Sequence, residues 1–530
     1  MTRSQSDKKN NGSVVSLAKA VSAHLKGEPK AALHSLGNAS ADDKDFPEIL
    51  AARAHLRMDL KQYEAALVDY EHLIAIRGTN PDAHFQAGVC LYHLGRMEEA
   101  VQRFSKSGEL DRSRWDALLA RGVCLLQLKR AEEALDAFTR CLEIAPRLDA
   151  ALLGKAVALQ LAWEFDEAEE VYAGILERNP QSEDALVNLI ALNMQRKDYD
   201  RVRKHAERLL AVNPASQAAL EGLSAGAFAT NAFSDAAQHY SRLVELYPRN
   251  YDYWFNLGVT YQRLGQLLEA AGAYENAISV RPEATNACVN LSLVHSEMGD
   301  LDAARGAIER ALQIAPDRDD LHYQRAVLLE RQGKNEEAEQ SYSRLLERNP
   351  QMENGWFRLG YLKLQRGEYA GAAEAFSNAL KKRPEWADAE INLGMAHWKL
   401  GRHEESRRVL EQLLSRDPDC VDAVRGLAAN AMDQRDLPQA LHWHLRLQEL
   451  GDRPPEVLHN TAFLLHQTGD LENSIRVYRE AIQARPEFAE ALLNLGHVLQ
   501  AAGREEEARD AWVQALEIKP ELARGYFLAK

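Results

Sequence analysis

Eight side-chain amides stand whole multiples of 34 residues apart: Gln86, Asn188, Asn256, Asn290, Gln324, Asn392, Asn460 and Asn494. An amide has two N–H donors and a carbonyl acceptor. One such group can therefore hold the N–H and C=O of an extended peptide, whatever side chains that peptide carries. The residue just before each amide is apolar in most units and aromatic at Phe85, Phe255 and Tyr323, and the same register puts Phe357 before Arg358. An apolar side chain there can wall a pocket beside the amide. The row is interrupted by Gly154, Gly222, Arg358 and Gly426. Asn is a mediocre helix former, so its recurrence has a cause. Binding is one such cause, and descent by duplication of one unit is another.

Other chemistry is not signalled. The sequence has no G-x-G-x-x-G and no G-x-x-x-x-G-K-[ST] phosphate loop. His403-Glu404-Glu405 is followed by Arg407 where a zinc-binding helix needs a second His. His442 and His444 are two residues apart, on opposite sides of a helix, and cannot share a metal. No catalytic residues, cofactor or metal ligands are predicted. The five cysteines lack Cys-x-x-Cys spacing and read as small buried hydrophobes in a reducing compartment. The net charge of −15 argues against nucleic acid and anionic membrane as partners. No apolar leader or run of eighteen apolar residues occurs, so a cytoplasmic location is expected.

The elements that must position the amides are read best from Tyr251 to Pro282. Trp254, Leu257, Tyr261 and Leu264 repeat at helical period. Gly265 supplies a residue that can take positive φ and end that helix. Ala270, Tyr274, Ala277 and Ile278 form the face of a second helix, and Pro282 closes the unit. Prolines recur every 34 residues from 146 to 418 and again at 486 and 520, and fifteen units fit from Ser13 to Leu522 without insertion. Across the units the eighth place is mostly Gly or Ala, the twentieth mostly Ala, and the twenty-fourth mostly aromatic.

This period and pattern resemble the tetratricopeptide repeat (TPR) family over nearly the whole chain. Trp254, Leu257, Gly258, Tyr261, Ala270, Tyr274, Ala277 and Pro282 carry the resemblance. It implies an all-α, right-handed superhelical solenoid of tandem helix-turn-helix repeats. It also implies that the fifth, sixth and ninth places of each first helix face a concave groove. The amide row is similar to the asparagine ladder in the TPR arm of O-linked N-acetylglucosamine transferases. The Lys used by carboxylate-clamping members is missing from the fifth places.

The expected organisation is a disordered tail at 1–12, a repeat array at 13–522 and the start of a capping helix at 523–530. A weak joint is expected at 183–250, where Ile190, Asn193, Val202 and Ala206 leave the pattern and Gly222, Ser224 and Gly226 dilute one helix. Trp163 stands where nine repeats have Gly, which predicts a different turn there, with the ring packed on Phe165. The expected function is a non-catalytic scaffold holding an extended or helical segment of a partner protein in the groove. The alternatives are a substrate-recruiting arm of a glycosyltransferase or similar enzyme whose catalytic domain lies elsewhere, and a self-associating assembly platform.

Overall fold

The computed structural model describes the backbone of residues 3–37 and 46–525, with side chains over 14–37 and 46–523. Among the described residues there are thirty α-helices in consecutive pairs and no strand. The chain divides into two compact units, Met1–Val280 and Arg281–Lys530. The first holds eight helical hairpins, from α1 (Arg3–Leu25) to α16 (Leu267–Val280). The second holds seven, from α17 (Thr285–Glu297) to α30 (Glu505–Ile518), followed by a 3-10 turn at Pro520–Gly525. α1 extends back to Arg3, into the polar stretch expected as a tail. Most of the expected capping helix, from Tyr526 onward, lies outside the described residues.

Each hairpin closes in the same way. The fifteenth place of all fifteen repeats takes positive φ: Gly in nine, and Lys61, Lys129, Trp163, Lys197, Asn231 and Arg435 in six. Two backbone bonds fix the turn, as where the Arg96 N–H donates to the Leu91 carbonyl at 2.9 Å and the Gly95 N–H to the Tyr92 carbonyl at 3.0 Å. The expectation of a different turn at Trp163 is therefore corrected. Its φ is 65°, the Glu164 N–H reaches the Leu159 carbonyl at 2.9 Å, and the Trp163 N–H reaches the Gln160 carbonyl at 3.2 Å. Left-handed backbone costs a non-glycine residue about 1–2 kcal/mol, less than leaving a hairpin unclosed. The Trp163 ring meets Phe165 edge-on at 5.5 Å between centroids and is otherwise exposed.

Inside a hairpin the eighth and twenty-fourth places meet. A Cβ on Gly88 would lie 2.7 Å from the Phe104 ring, one on Gly122 2.6 Å from Phe138, and one on Gly258 2.7 Å from Tyr274. The small residue lets the ring lie directly on the helix backbone. Tyr172, Tyr274, Tyr342, Tyr478, Phe138 and Phe376 are among the largest fully buried side chains. The twentieth-place residues Ala100, Ala134, Ala168, Ala270 and Ala338 are wholly buried at the same contact.

The 183–250 segment departs from this scheme in two ways. At the eighth and twenty-fourth places volume is exchanged. Ile190 replaces the small residue and Ala206 the ring, and Ile190 packs its γ-methyl where a Cβ on Gly222 would come within 2.6 Å. Ile190, Val202 and Ala206 are all buried. A polar defect and a void remain. Asn193 is buried with its Nδ2 donating to the Leu189 carbonyl at 2.9 Å, and its Oδ1 has no hydrogen-bond partner. A hollow of about 80 Å³ lies against Val202, Gly222, Gly226 and His239. α10 (Phe165–Arg178) packs on α11 (Glu183–Arg196) more thinly than neighbouring repeats do, whereas α12 (Tyr199–Val212) packs on α13 (Gln217–Ala229) as other pairs do.

Two predictions follow from these packing differences. In α11 and α13 an unsatisfied buried carbonyl and two helix glycines lower the local opening free energy. Their amides are expected to exchange at least tenfold faster than those of α5 (Pro81–His93) and α7 (Trp115–Gln127). Equal protection in the four helices would remove the weak joint. The second concerns His444, which replaces the core ring in α26 (Leu437–Glu449) and is 5% exposed, with Nδ1 unpartnered. Burial pushes its imidazolium from 6.5 down to about 4. The unfolded chain therefore takes up the proton first on acidification. This contribution to stability is complete above pH 6.5 and is lost as pH falls towards 4. At pH 5 the loss is about 2 kcal/mol. Hydrogen exchange in α26, corrected for intrinsic rates, should show this loss in the native chain and not in His444→Phe.

Candidate functional site

The eight amides all lie on the first helices of their repeats, and all are half-buried. In the first unit Phe85 and Gln86 are on α5, Asn188 on α11, and Phe255 and Asn256 on α15 (Tyr251–Arg263). In the second unit Asn290 is on α17, Tyr323 and Gln324 on α19 (Asp319–Arg331), and Phe357 and Arg358 on α21 (Glu353–Gln365). Asn392 is on α23 (Ala387–Lys399), Asn460 on α27 (Pro455–Gln467) and Asn494 on α29 (Ala489–Ala501). First helices of successive repeats touch, as α7 touches α9 (Asp149–Leu161) and α23 touches α25 (Val421–Asp433). Among the described residues no two second helices do so to a comparable degree. Within each unit the first helices are thus the more closely spaced layer.

The amides are not equivalent. Asn188 Nδ2 donates to the Asp184 carbonyl and Asn392 Nδ2 to the Asp388 carbonyl, both at 2.8 Å. Each then turns its carbonyl oxygen and second N–H away from its own helix turn. Asn494 Nδ2 lies 3.0 Å from His459 Nε2, and His459 Nδ1 lies 3.3 Å from Asn460 Oδ1. With the proton on His459 Nδ1, this chain links two successive repeats by donor and acceptor in turn. Arg358, which interrupts the amide row, donates to Glu330 at 3.2 Å, and Glu330 also accepts from the Tyr342 hydroxyl at 3.1 Å.

The fifth-place rings are wall and face at once. Phe85 meets the core ring of Phe104 at 5.5 Å, Phe255 meets Tyr274 at 5.8 Å, Tyr323 meets Tyr342 at 5.9 Å, and Phe357 meets Phe376 at 5.7 Å. The other side of Phe85, Phe357 and the fifth-place His459 is covered by the thirty-fourth place of the same repeat, and Phe255 stacks instead on Tyr251 at 5.6 Å. The Arg114 guanidinium sits 4.7 Å over Phe85, Trp386 stacks on Phe357 at 4.4 Å, and Phe488 lies 5.1 Å from His459. Sequence reasoning did not find these thirty-fourth-place partners. Their signal was a large or cationic side chain at the last place of a unit whose fifth place is aromatic.

Where the first helices of two repeats face each other, α23 and α25 border a cleft of about 510 Å³ that includes Ile391, Asn392 and Met395. These are the fifth, sixth and ninth places of one repeat. Trp398, Leu410 and Ala429 complete its apolar wall.

Other groups are easily placed. Burial pushes the Cys90 thiol up to about 12 and the Cys124 thiol up to about 11, which leaves them protonated and unreactive. Cys141 and Cys288 are also buried. His24, His55 and Asp59 are exposed on α1 and α3 (Phe46–Asp59), with three potential ligand atoms within 4.8 Å of one another. They are the set of side chains among the described residues that could hold a cation. Their separation over two helices hides them from spacing rules. No helix among the described residues is long and apolar enough to cross a membrane.

Models described as tetratricopeptide repeat match residues 194–251, 239–271, 289–353, 323–387, 363–431 and 489–522. A model described as TPR repeat matches 464–503, and one for anaphase-promoting complex, cyclosome, subunit 3 matches 59–141. The chain is 30% identical over 90 residues to small glutamine-rich tetratricopeptide repeat-containing protein 2 of Mycosarcoma maydis. That match covers 17% of this chain and 26% of the relative, so the chain spans about a quarter of the relative's length. Among solved structures, MamA is 22% identical, with 30% of this chain and 94% of that chain covered and a TM-score of 0.29. The APC/C hetero-tetramer Cut9-Hcn1 is 14% identical, with 92% and 95% covered and a TM-score of 0.32.

The double role of the fifth place is open to test at Phe357. Phe357→Ala removes a ring held between Phe376 and Trp386, and because the site is half-buried the cost is expected to be about 2 kcal/mol. Amide exchange in α21 and α22 (Tyr369–Lys382) measures it. Unchanged protection would mean that the ring contributes nothing to the hairpin and is held out for a ligand alone.

Proposed function

This chain belongs to the tetratricopeptide repeat family, and from that premise we propose that it is a protein-interaction scaffold whose first-helix face, in each unit, holds an extended segment of a partner protein. The observation that supports this most is the uniform half-burial of the eight amides beside apolar fifth-place side chains. A half-buried amide has given up part of its hydration but not its hydrogen-bonding capacity. A peptide backbone laid against it replaces water with a directed bond in a less polar setting, where that bond is stronger. The neighbouring ring is already fixed by the core, so little side-chain entropy is lost when a ligand packs on it.

Contacts of this kind are individually weak and add along the chain. Affinity then depends on how many repeats a segment crosses, and the partner's backbone is gripped more evenly than its side chains. Such a scaffold needs no catalytic group of its own.

The test is confined to the second unit. Asn290, Asn392 and Asn460 are replaced together by Ala, a residue that favours exposed helix. Helicity and melting should stay unchanged, while the Kd for a partner captured by the native chain should rise more than tenfold, equivalent to about 1.4 kcal/mol. Unchanged affinity would reject the amide face as the binding surface.

A further inference from the structure

The ring at the twenty-fourth place lies on the small eighth place of its own repeat and, where the next repeat has Gly at its sixth place, on that glycine as well. Phe138 is the fullest example. A Cβ on Gly122 would lie 2.6 Å from this ring, and one on Gly154 would also collide with it. The same two glycine positions recur around Leu410. A Cβ on Gly394 would lie 2.8 Å from Leu410, and one on Gly426 2.7 Å from it. Here the cradle for a ring holds a leucine, and the cleft of about 510 Å³ opens beside it.

A second departure lies in the same cleft. Ser406 occupies the twentieth place, where most repeats have Ala. It is wholly buried and lines the cleft, yet its hydroxyl has no hydrogen-bond partner. A buried hydroxyl left unpaired costs roughly 1–3 kcal/mol. The rim is acidic. Asp388 is exposed, and among the described residues its carboxylate accepts a 3.4 Å contact from the Trp386 indole. Asp422 is also exposed and pairs with Arg425 at 3.3 Å, and Arg425 is held further by two 2.8 Å bonds to Asp452.

We propose that this cleft is a socket for a tyrosine side chain of an extended partner segment, with a basic residue next to that tyrosine paired to Asp388. This rests on the reading of the first-helix face as the binding surface. The ring fills the cleft beside Leu410, against Met395 and Trp398. The phenol O–H donates to Ser406 Oγ. The basic neighbour meets a carboxylate that has no cation of its own.

Random 12-residue peptides displayed on phage are selected on the whole chain, and the enriched sequences are made as blocked synthetic peptides for calorimetry. Enriched peptides should carry Tyr beside Arg or Lys. Leu410→Phe installs an aromatic ring, as most repeats have at that place, and Ser406→Ala the alanine that most have, so both should melt no lower than the native chain. Leu410→Phe should weaken binding at least tenfold. Tyr→Phe in the peptide should weaken binding several-fold to the native chain and not to Ser406→Ala. Met395→Lys, at an exposed position, should also weaken binding at least tenfold, and it decides the matter if Leu410→Phe melts low. Enrichment without tyrosine, or full binding to Leu410→Phe and Met395→Lys, overturns the socket. Peptides that lose binding to the triple Asn variant but not to Leu410→Phe would leave the amide face standing without the socket. Loss in the opposite order would leave the socket without the amide row.

Discussion

An aromatic ring lying on a backbone stripped of its Cβ is the contact on which the rest of the structure depends. It fixes the distance between the two helices of a hairpin. At Phe138 it also fixes the distance to the next hairpin, because the ring's far side reaches Gly154 at the sixth place of the following repeat. There one side chain sets both the internal geometry of a repeat and its spacing from its neighbour. The 34-residue period is the sequence record of that contact, since an insertion in either helix would move the ring off its seat.

The same contact ties the proposed binding row to the core. Fifth-place rings lean on the core ring, and at Phe85 and Phe357 the thirty-fourth place covers the other side, so these rings are held still by the fold itself. Phe357, between Phe376 and Trp386, is the clearest case. Preorganisation of this kind comes from packing that the fold needs in any event. Under the proposed function, a substitution at a fifth place changes stability and recognition together, whereas a sixth-place amide changes recognition with little effect on the fold.

The fold was legible in the sequence because each place has one steric task and few residue types can perform it. Ala134 and Ala270 are buried at helix contacts, and Gly95 and Gly265 take positive φ, as their positions require. What was not legible depends on two residues compensating for each other. Trp163 adopts the left-handed turn because hairpin closure outweighs its steric cost. Ile190 and Ala206 look like two misfits in a linear reading but exchange volume across one contact. The amides of Asn188 and Asn392 look identical to the others, yet each spends one N–H on its own helix. Spacing gives the face on which a side chain lies, and it does not give the bond that the side chain makes there.

Departures from the repeat pattern therefore fall into two physical classes. Where volume lost at one place is regained at another, as at Ile190 and Ala206, packing is preserved and the departure says little about function. At Leu410 nothing compensates. Leucine is smaller than a ring, both glycines found against the ring of Phe138 are kept, and Ser406 adds a buried polar group without a partner. Each of these three features lowers stability when taken alone, and filling the cleft from within needs only residues that other repeats already have. A repeat array offers many equivalent positions where a void would cost the same. A void lying between fifth-, sixth- and ninth-place side chains of the proposed binding face, rather than on the outer helices, is the arrangement expected if a ligand supplies the missing ring.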